Sequence, residues 1–380
     1  MTAAKMLFSC KVINSLKEFS LLRGQWNRLV KQSTSCTFFM SWEWLDTWLS
    51  IYSDIVEQLI ILLVFDKNNK LAGAMPLYLA TSLNASLNGR QLRFIGNGEE
   101  EWEEVATEYH DVLSRYEVES EVCDLLFKTL CGLGLNWNLL VVENVLNDSV
   151  LMRKFIPLFL EDKYPLIKSR SGQRYRIDLP QSWTEYEARL GKSMKRKIRQ
   201  SKNKINKMEG VITETIKNTE LGFSELKAIH EERWQKKNIQ GAFSSPKFQE
   251  FHRELMSRLL KDGNLRIRRT SIGSKVIAIL YNIRFSDTES YYQSGFDLQL
   301  GSRVRPGIYA HMRAIEASIK EKVQYYDMMK GGDDSYKSEY GAEVAPMLSI
   351  RLYNRTLGGK SRYLRELSLR YIRKLRDQYT

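Results

Sequence analysis

Two hydrophobic periods trade places along this chain. Residues 16–31 and 41–52 repeat Leu, Phe and Trp at helical spacing, whereas LIILLVFD (59–66) is one unbroken apolar run, read as a buried strand. KNNK is a turn, and LAGAMPLYLA (71–80) returns as the second arm of a hairpin. RQLRFIG (90–96) reads as a strand, followed by the acidic loop GNGEEEWEEVATEYHD, a helix over 120–133 and the strand WNLLVVENV (137–145). A helix over 150–160 and the short strand YPLIKSR close this half.

The second half starts near residue 171 in the same style. RYRIDLP (174–180) is a strand, 183–190 a helix, 192–208 a basic segment and VITETI a strand. Helices follow near 218–238 and 245–262, then a hairpin over 265–285 that echoes the one at 59–80. Residues 289–341 read as strand, loop, helix and strand, and MLSIRLYN (347–354) is the last strand. The pattern predicts an α/β protein with lobes over 1–170 and 171–355 and a basic amphipathic helix over 356–380. The paired hairpins suggest an internal duplication.

Composition narrows the partners. The chain has 380 residues, 43% of them hydrophobic, enough for one large or two moderate cores. A net charge of +13 fits a phosphate-bearing partner: nucleic acid, an anionic membrane surface or a nucleotide-bearing cofactor. Cys10, Cys36, Cys123 and Cys131 form no C-x-x-C pair and no metal-like spacing with the four histidines, so no metal is expected and the thiols read as free. The N-terminus lacks a signal-peptide core and the apolar run at 59–65 is too short to cross a bilayer, which predicts a cytoplasmic protein.

The candidate chemistry gathers in 289–341. GSRVRPGIYA joins a strand to a helix, and the first N–H groups of a helix lack intrahelical partners. Pro306 suits the first turn, Gly307 lets a ligand approach the backbone, and Arg303 and Arg305 can pair with phosphate oxygens; the other reading is an ordinary turn with surface arginines. Asp327 ends the strand VQYYDMM before Lys330 and a glycine pair, as a base, a substrate-orienting group or a carboxylate bonded to turn N–H groups. Tyr336 and Lys337 follow in a loop that is either anion-binding or solvated.

Further candidates lie elsewhere. His230 and Trp234 share a helix face at i, i+4, His230 as a base or a structural histidine. His110 follows the acidic loop and is placed either in a substrate groove or in a core. KSMKRKIRQSKNKINKM holds eight cations in seventeen residues, with Met194, Ile198, Ile205 and Met208 on one face, for a polyanionic substrate, lipid headgroup or RNA, or simply for solvent. The tail YLRELSLRYIRKLRDQY is a second such helix, lying on an acidic membrane or packed as a cap. No P-loop, G-x-G-x-x-G, G-x-S-x-G or zincin motif is present, which argues against the common NTPase, dinucleotide, serine-hydrolase and zinc-protease readings.

The assembled pieces resemble the CelD-like acetyltransferase family of the GNAT superfamily, related to FemAB-type aminoacyltransferases. They are FFMSWEWLDTWLSIY, LAGAMPLYL, LRFIG, KSMKRKIRQSKNKI, HEERWQKKNIQGAFSSPKFQEFHREL, VIAILYNIRF, YYQSGFD, RPGIYAHMRAIEASIKE and YYDMMKGGDDSYKSEYG, in order over roughly 300 residues. The resemblance implies a tandem GNAT-like (acyl-CoA N-acyltransferase) fold of two mixed-sheet lobes flanked by helices. It implies transfer of an acetyl or longer acyl group from a CoA thioester to an amine or hydroxyl of a polysaccharide or cell-envelope precursor, small, glycan- or lipid-linked. By position the CoA pyrophosphate falls on residues 301–308, with Arg303, Arg305, Gly307 and Ile308 as its contacts. That segment departs from the usual Q/R-x-x-G-x-G/A loop, since Arg303-Val304-Arg305-Pro306-Gly307 keeps only part of the glycine pattern. Asp327 or His230 is the expected base, and Tyr292 the acid that protonates the departing thiolate. Trp234, Tyr336, Lys337 and His110 are the expected substrate contacts. The alternatives are an aminoacyl-tRNA-dependent transferase, and a non-catalytic module binding RNA or an anionic membrane through its basic helices.

Overall fold

The computed structural model describes residues 7–80, 90–235 and 241–379. The chain divides into two compact units, one comprising Met1–Glu99, Val105–Ser171 and Met347–Thr380, the other Glu100–Glu104 and Gly172–Pro346.

The first unit contains β1 (Phe8–Ile13), α1 (Leu16–Ser20), α2 (Arg23–Gln32), α3 (Trp42–Ile51), β2 (Val56–Asp66), β3 (Leu71–Ala80), β4 (Gln91–Phe94), β5 (Leu113–Ser114), α4 (Glu119–Gly132), β6 (Leu139–Leu146) and α5 (Ile156–Glu161). It also holds the start of β7 (Leu166–Asp178) and the end of β13 (Glu343–Tyr353). Its strands run in the order β1-β2-β3-β4-β6-β13, antiparallel except for the parallel pair β4–β6. The unbroken apolar run of β2 reflects burial on both faces. Ile60, Leu62 and Val64 pack with Val122, Leu126 and Phe159 of α4 and α5, while Ile61 and Leu63 are also buried. Ser41 caps α3, accepting the N–H of Trp44 at 3.3 Å. Trp44 in turn stacks edge-on to Phe38 and Phe39.

The second unit holds the remainder of β7, then α6 (Trp183–Arg189), α7 (Lys192–Asn206), β8 (Val211–Ile216), α8 (Thr219–Gln235), α9 (Pro246–Lys261), β9 (Leu265–Ile272), β10 (Lys275–Phe285), β11 (Thr288–Phe296), α10 (Gly301–Val304), α11 (Pro306–Lys320) and β12 (Tyr325–Gly331). The order is β7-β12-β11-β10-β9-β8, with β11 and β12 parallel and the other pairs antiparallel. Met194, Ile198 and Ile205 of α7 pack with Met312 and Ile315 of α11 over Leu280, Tyr326 and Met328. The opposite face is covered by α8 and α9: a Cβ on Gly295 of β11 would overlap Ile229, and His252 stacks edge-on to Tyr281.

The structure redraws several predicted elements. The helix over 16–31 breaks into α1 and α2 at residues 21–22. The strands expected at YPLIKSR and 174–180 are one strand, β7, running through Gly172 at φ 145°, where a side chain would meet the Gly331 carbonyl at 2.9 Å. The helix over 150–160 begins as a π-turn, Leu151–Phe155. The loop GSRVRPGIYA is two successive helices, α10 and α11, joined by Arg305 in the left-handed conformation. The last strand belongs to the first unit from Met347 on, where Met347–Tyr353 pairs with β6 from Met347↔Leu146 to Tyr353↔Leu139. The helix after it, α12 (Leu357–Tyr379), likewise belongs to the first unit.

Candidate active site

Strands β11 and β12 pair over only three positions, Thr288↔Tyr325, Glu289↔Tyr326 and Ser290↔Asp327, and both continue beyond them. Both are irregular where they part. Across from β10, β11 fits an extra residue, Tyr292, between the partners of Tyr281 and Asn282. Across from β7, β12 slips between Asp327 and Lys330, with Met329 at φ 63°. Such bulges re-aim side chains and end pairing, and they cluster beside functional sites. The Asp327 carboxylate is buried and accepts the N–H of Met329 at 2.7 Å, which holds this bend.

On the α11 side of the parting lies a buried polar chain. Arg268 grips Glu289 bidentately, Nε to Oε1 at 3.0 Å and Nη2 to Oε2 at 2.7 Å. Glu289 also accepts from Asn282 at 2.8 Å and Ser318 at 2.9 Å. Burial alone would raise this carboxyl, but the Arg268 charge and the added hydrogen bonds hold it below its ordinary range. Asn282 Nδ2 also donates to the Tyr326 hydroxyl at 3.2 Å, which leaves that hydroxyl its own proton for Nδ1 of His311 at 3.1 Å. His311 therefore carries its proton on Nε2, a buried atom with no hydrogen-bond partner among the described residues. Burial, and secondarily the charge of Lys337, lowers its pKa to about 3, so the ring is neutral near pH 7. It stands edge-on to Tyr291 at 4.4 Å. Lys337 spans the parted strands, donating to the Lys330 carbonyl of β12 at 2.5 Å with its Nζ 5.8 Å from the Tyr291 ring centre on β11.

On the α8–α9 side, the Tyr292 hydroxyl lies 3.1 Å from Nε2 of His252. Burial drops the His252 pKa to about 3, and its Nδ1 and the nearby Tyr281 hydroxyl are buried with no hydrogen-bond partner among the described residues. The pleat places Ser290 and Asp327, registered neighbours, on the same side. His230 of α8 is buried with its ring 4.8 Å from that of Phe243.

The mouth lies at the start of α11. The basic helix α7 packs there: Ser201 donates to the carbonyls of Val304 at 2.7 Å and Arg305 at 2.9 Å, and Lys204 to that of Arg303 at 2.6 Å. Arg303 is exposed; Arg305 is half-buried and bonds Gln200 at 3.2 Å. Gly307 sits against the Phe296 ring, which a side chain would approach to 3.3 Å, and Ile308 N–H closes onto the Arg305 carbonyl. A groove of about 520 Å³ runs beside α7, bordered by Lys192, Lys195, Arg196, Arg199 and Lys202 with Trp183 and Met312.

The structure thus sets Asp327, Tyr292 and Lys337 at one parting of strands, with the 301–308 segment meeting the end of β11 where Gly307 lies against Phe296. Tyr336 sits next to Lys337 and is half exposed. Trp234 lies on α8, its side chain outside the described residues. His110 belongs to the first unit, buried, with Nδ1 3.2 Å from the Glu143 carbonyl. The sequence reading passed over His311, Glu289, Arg268, Asn282 and His252. A signal existed for the first: His311 and Ser318 occupy the buried stripe of α11 alongside Ala314 and Ile315, where the helical period calls for apolar residues.

Residues 192–338 match the family described as the acetyltransferase (GNAT) domain. Over this segment the chain is similar to GNAT acetyltransferases. No curated protein sequence matches the chain. Among solved structures, FemX superposes with a TM-score of 0.63 at 8% identity, over 93% of this chain and 99% of its own. The C-terminal domain of a candidate lysylphosphatidylglycerol synthetase from Agrobacterium fabrum follows at 0.53 and 11%, over 93% and 95%. A tandem GNAT protein from the clavulanic acid biosynthesis pathway aligns at 0.45 and 9%, over 92% and 100%. At these identities the FemX and synthetase likenesses speak for the fold alone: a mixed α/β architecture extending well beyond the matched GNAT domain on both sides. Among the described residues no helix is long and apolar enough to cross a membrane, and no cluster of His, Cys, Asp and Glu could hold a metal ion.

Proposed function

We propose that this chain is an acyltransferase that moves an acetyl or longer acyl group from a CoA thioester to an amine or hydroxyl of a polysaccharide or cell-envelope precursor. The observation that carries the reading is the parting of β11 and β12 after Ser290↔Asp327, inside the segment that matches the GNAT model and beside α11, whose His311 meets Tyr291. A slot between parted strands admits a long thin group, and the adjoining helix start with Arg303 and Arg305 suits its phosphates. Positioning supplies much of the rate, because a thioester is already activated. The acceptor nitrogen or oxygen attacks the carbonyl and gives its proton to Asp327 or His230. The C–S bond then breaks and the thiolate takes a proton from Tyr292, whose hydroxyl faces the neutral ring of His252. The family resemblance supplies the class of acceptor.

Calorimetry with acetyl-CoA, a longer acyl-CoA and tRNA tests this reading. We expect saturable binding of the CoA thioesters, lost on Arg305→Glu. Salt-sensitive tRNA binding without CoA binding would replace the donor with aminoacyl-tRNA. Binding of neither would remove the transferase reading.

A further inference from the structure

The two basic amphipathic helices treat their apolar residues in opposite ways. In α7 the apolar positions Met194, Ile198 and Ile205 are buried and the cations face outward. In α12 the arrangement is inverted. The face turned to the first unit is polar and aromatic: Tyr363 packs on Tyr353 at 5.3 Å, Arg351 pairs with Glu366 at 3.3 Å, and Arg370 bonds Glu366 at 3.1 Å. At 100° per residue the opposite face carries Leu364, Tyr371 and Leu375, with Leu367 and Ile372 at its edges. Leu364 is 62% exposed, Tyr371 65% and Ile372 60%. Lys360 and Lys374 flank this stripe on one side, Arg365 and Arg376 on the other, and seven cations against two acids occupy Leu357–Tyr379.

We propose that α12 docks the protein in the plane of an anionic lipid bilayer, with its outward stripe of Leu364, Tyr371 and Leu375 set among the acyl chains and its flanking cations on the headgroups. An apolar stripe edged by cations on both sides is the pattern of a helix that lies in the interface without spanning it. Charge complementarity selects the lipid surface over a second copy of the chain, since two such helices face to face would oppose like rows of cations. The ion pair of Glu366 with Arg351 and the packing of Tyr363 on Tyr353 hold the helix to β13, so the stripe is presented from a fixed base.

The test is sedimentation of the full chain with vesicles. Vesicles of phosphatidylcholine with three parts in ten phosphatidylglycerol should bind at least tenfold more tightly than pure phosphatidylcholine, and half-molar salt should weaken the binding. The variant Leu364→Glu/Tyr371→Glu/Leu375→Glu should lose at least tenfold of that affinity with its melting temperature unchanged, because the replaced side chains face outward. Three outcomes overturn the proposal: no preference for anionic vesicles, equal binding by the variant, or a wild-type dimer in light scattering that the variant abolishes, which would assign the stripe to a second copy.

Discussion

His252 and His311 make the second unit acid-labile within a defined window. Both are buried, and burial holds each pKa at about 3 against an ordinary value of 6.5, with the Lys337 charge adding to the effect at His311. The unfolded chain therefore binds a proton at each site before the folded chain does. The associated stability is complete above pH 6.5 and is lost as the pH falls from there toward 3. A pH of 5 lies about 1.5 units below the pKa of the unfolded imidazole, worth about 2 kcal/mol per histidine, or about 4 kcal/mol for the two. That is a large fraction of a typical domain's ~5–15 kcal/mol. Asp111 in the first unit pulls the other way: burial lifts it to about 6 despite bonds from Ser35 and the N–H groups of Leu151, Val112 and Val150, so its contribution grows as the pH falls. The assay is a urea titration at pH 7 and pH 5, followed by a hydrogen-exchange pulse at fixed pH and read on peptides from 246–261 and 306–320. We expect their midpoints to fall on acidification, by about half as much in His252→Gln or His311→Gln and hardly at all in the double variant. An equal fall in the double variant, or none in the wild type, refutes the argument.

Glu289→Gln should destabilise the second unit by about 3–5 kcal/mol in chemical denaturation, because it leaves the buried Arg268 guanidinium without its bidentate carboxylate. Gly295→Ala should cost about 1–3 kcal/mol by forcing α8 off β11, and adding Ile229→Ala should recover most of it. Asp327→Asn should lower kcat by about 10²–10⁴-fold if its carboxylate takes the acceptor proton; near-normal turnover in both Asp327→Asn and His230→Ala would remove the two as bases.

Local patterns carried most of the strands and helices. The hairpins at 59–80 and 265–285 were visible because their apolar runs are bounded by turn residues, and α7 because its apolar positions repeat at helical spacing. Non-local choices were not visible. Nothing in MLSIRLYN says that its partner is β6, some 200 residues earlier, and not a neighbour in sequence. The division expected near residue 171 falls inside one strand, because Gly172 lets β7 continue at φ 145°. At the site, Asp327 and Lys337 stood out by position, whereas Glu289, Asn282 and Arg268 resembled the ordinary polar half of a strand. Only their convergence on one another distinguishes them.

The pairing of β6 with β13 bears on how the protein is made. The second unit interrupts the first in the chain, so on the ribosome β6 emerges well before β13, the strand that covers one of its edges. At ~5–20 residues per second, its partner follows roughly 10–40 s later. During that interval the second unit can assemble from its largely continuous segment while the open edge of β6 invites wrong pairing, including with another nascent chain. The final strand acts as a latch that closes the first unit last, and truncations that remove it should aggregate during synthesis before they show any defect in chemistry.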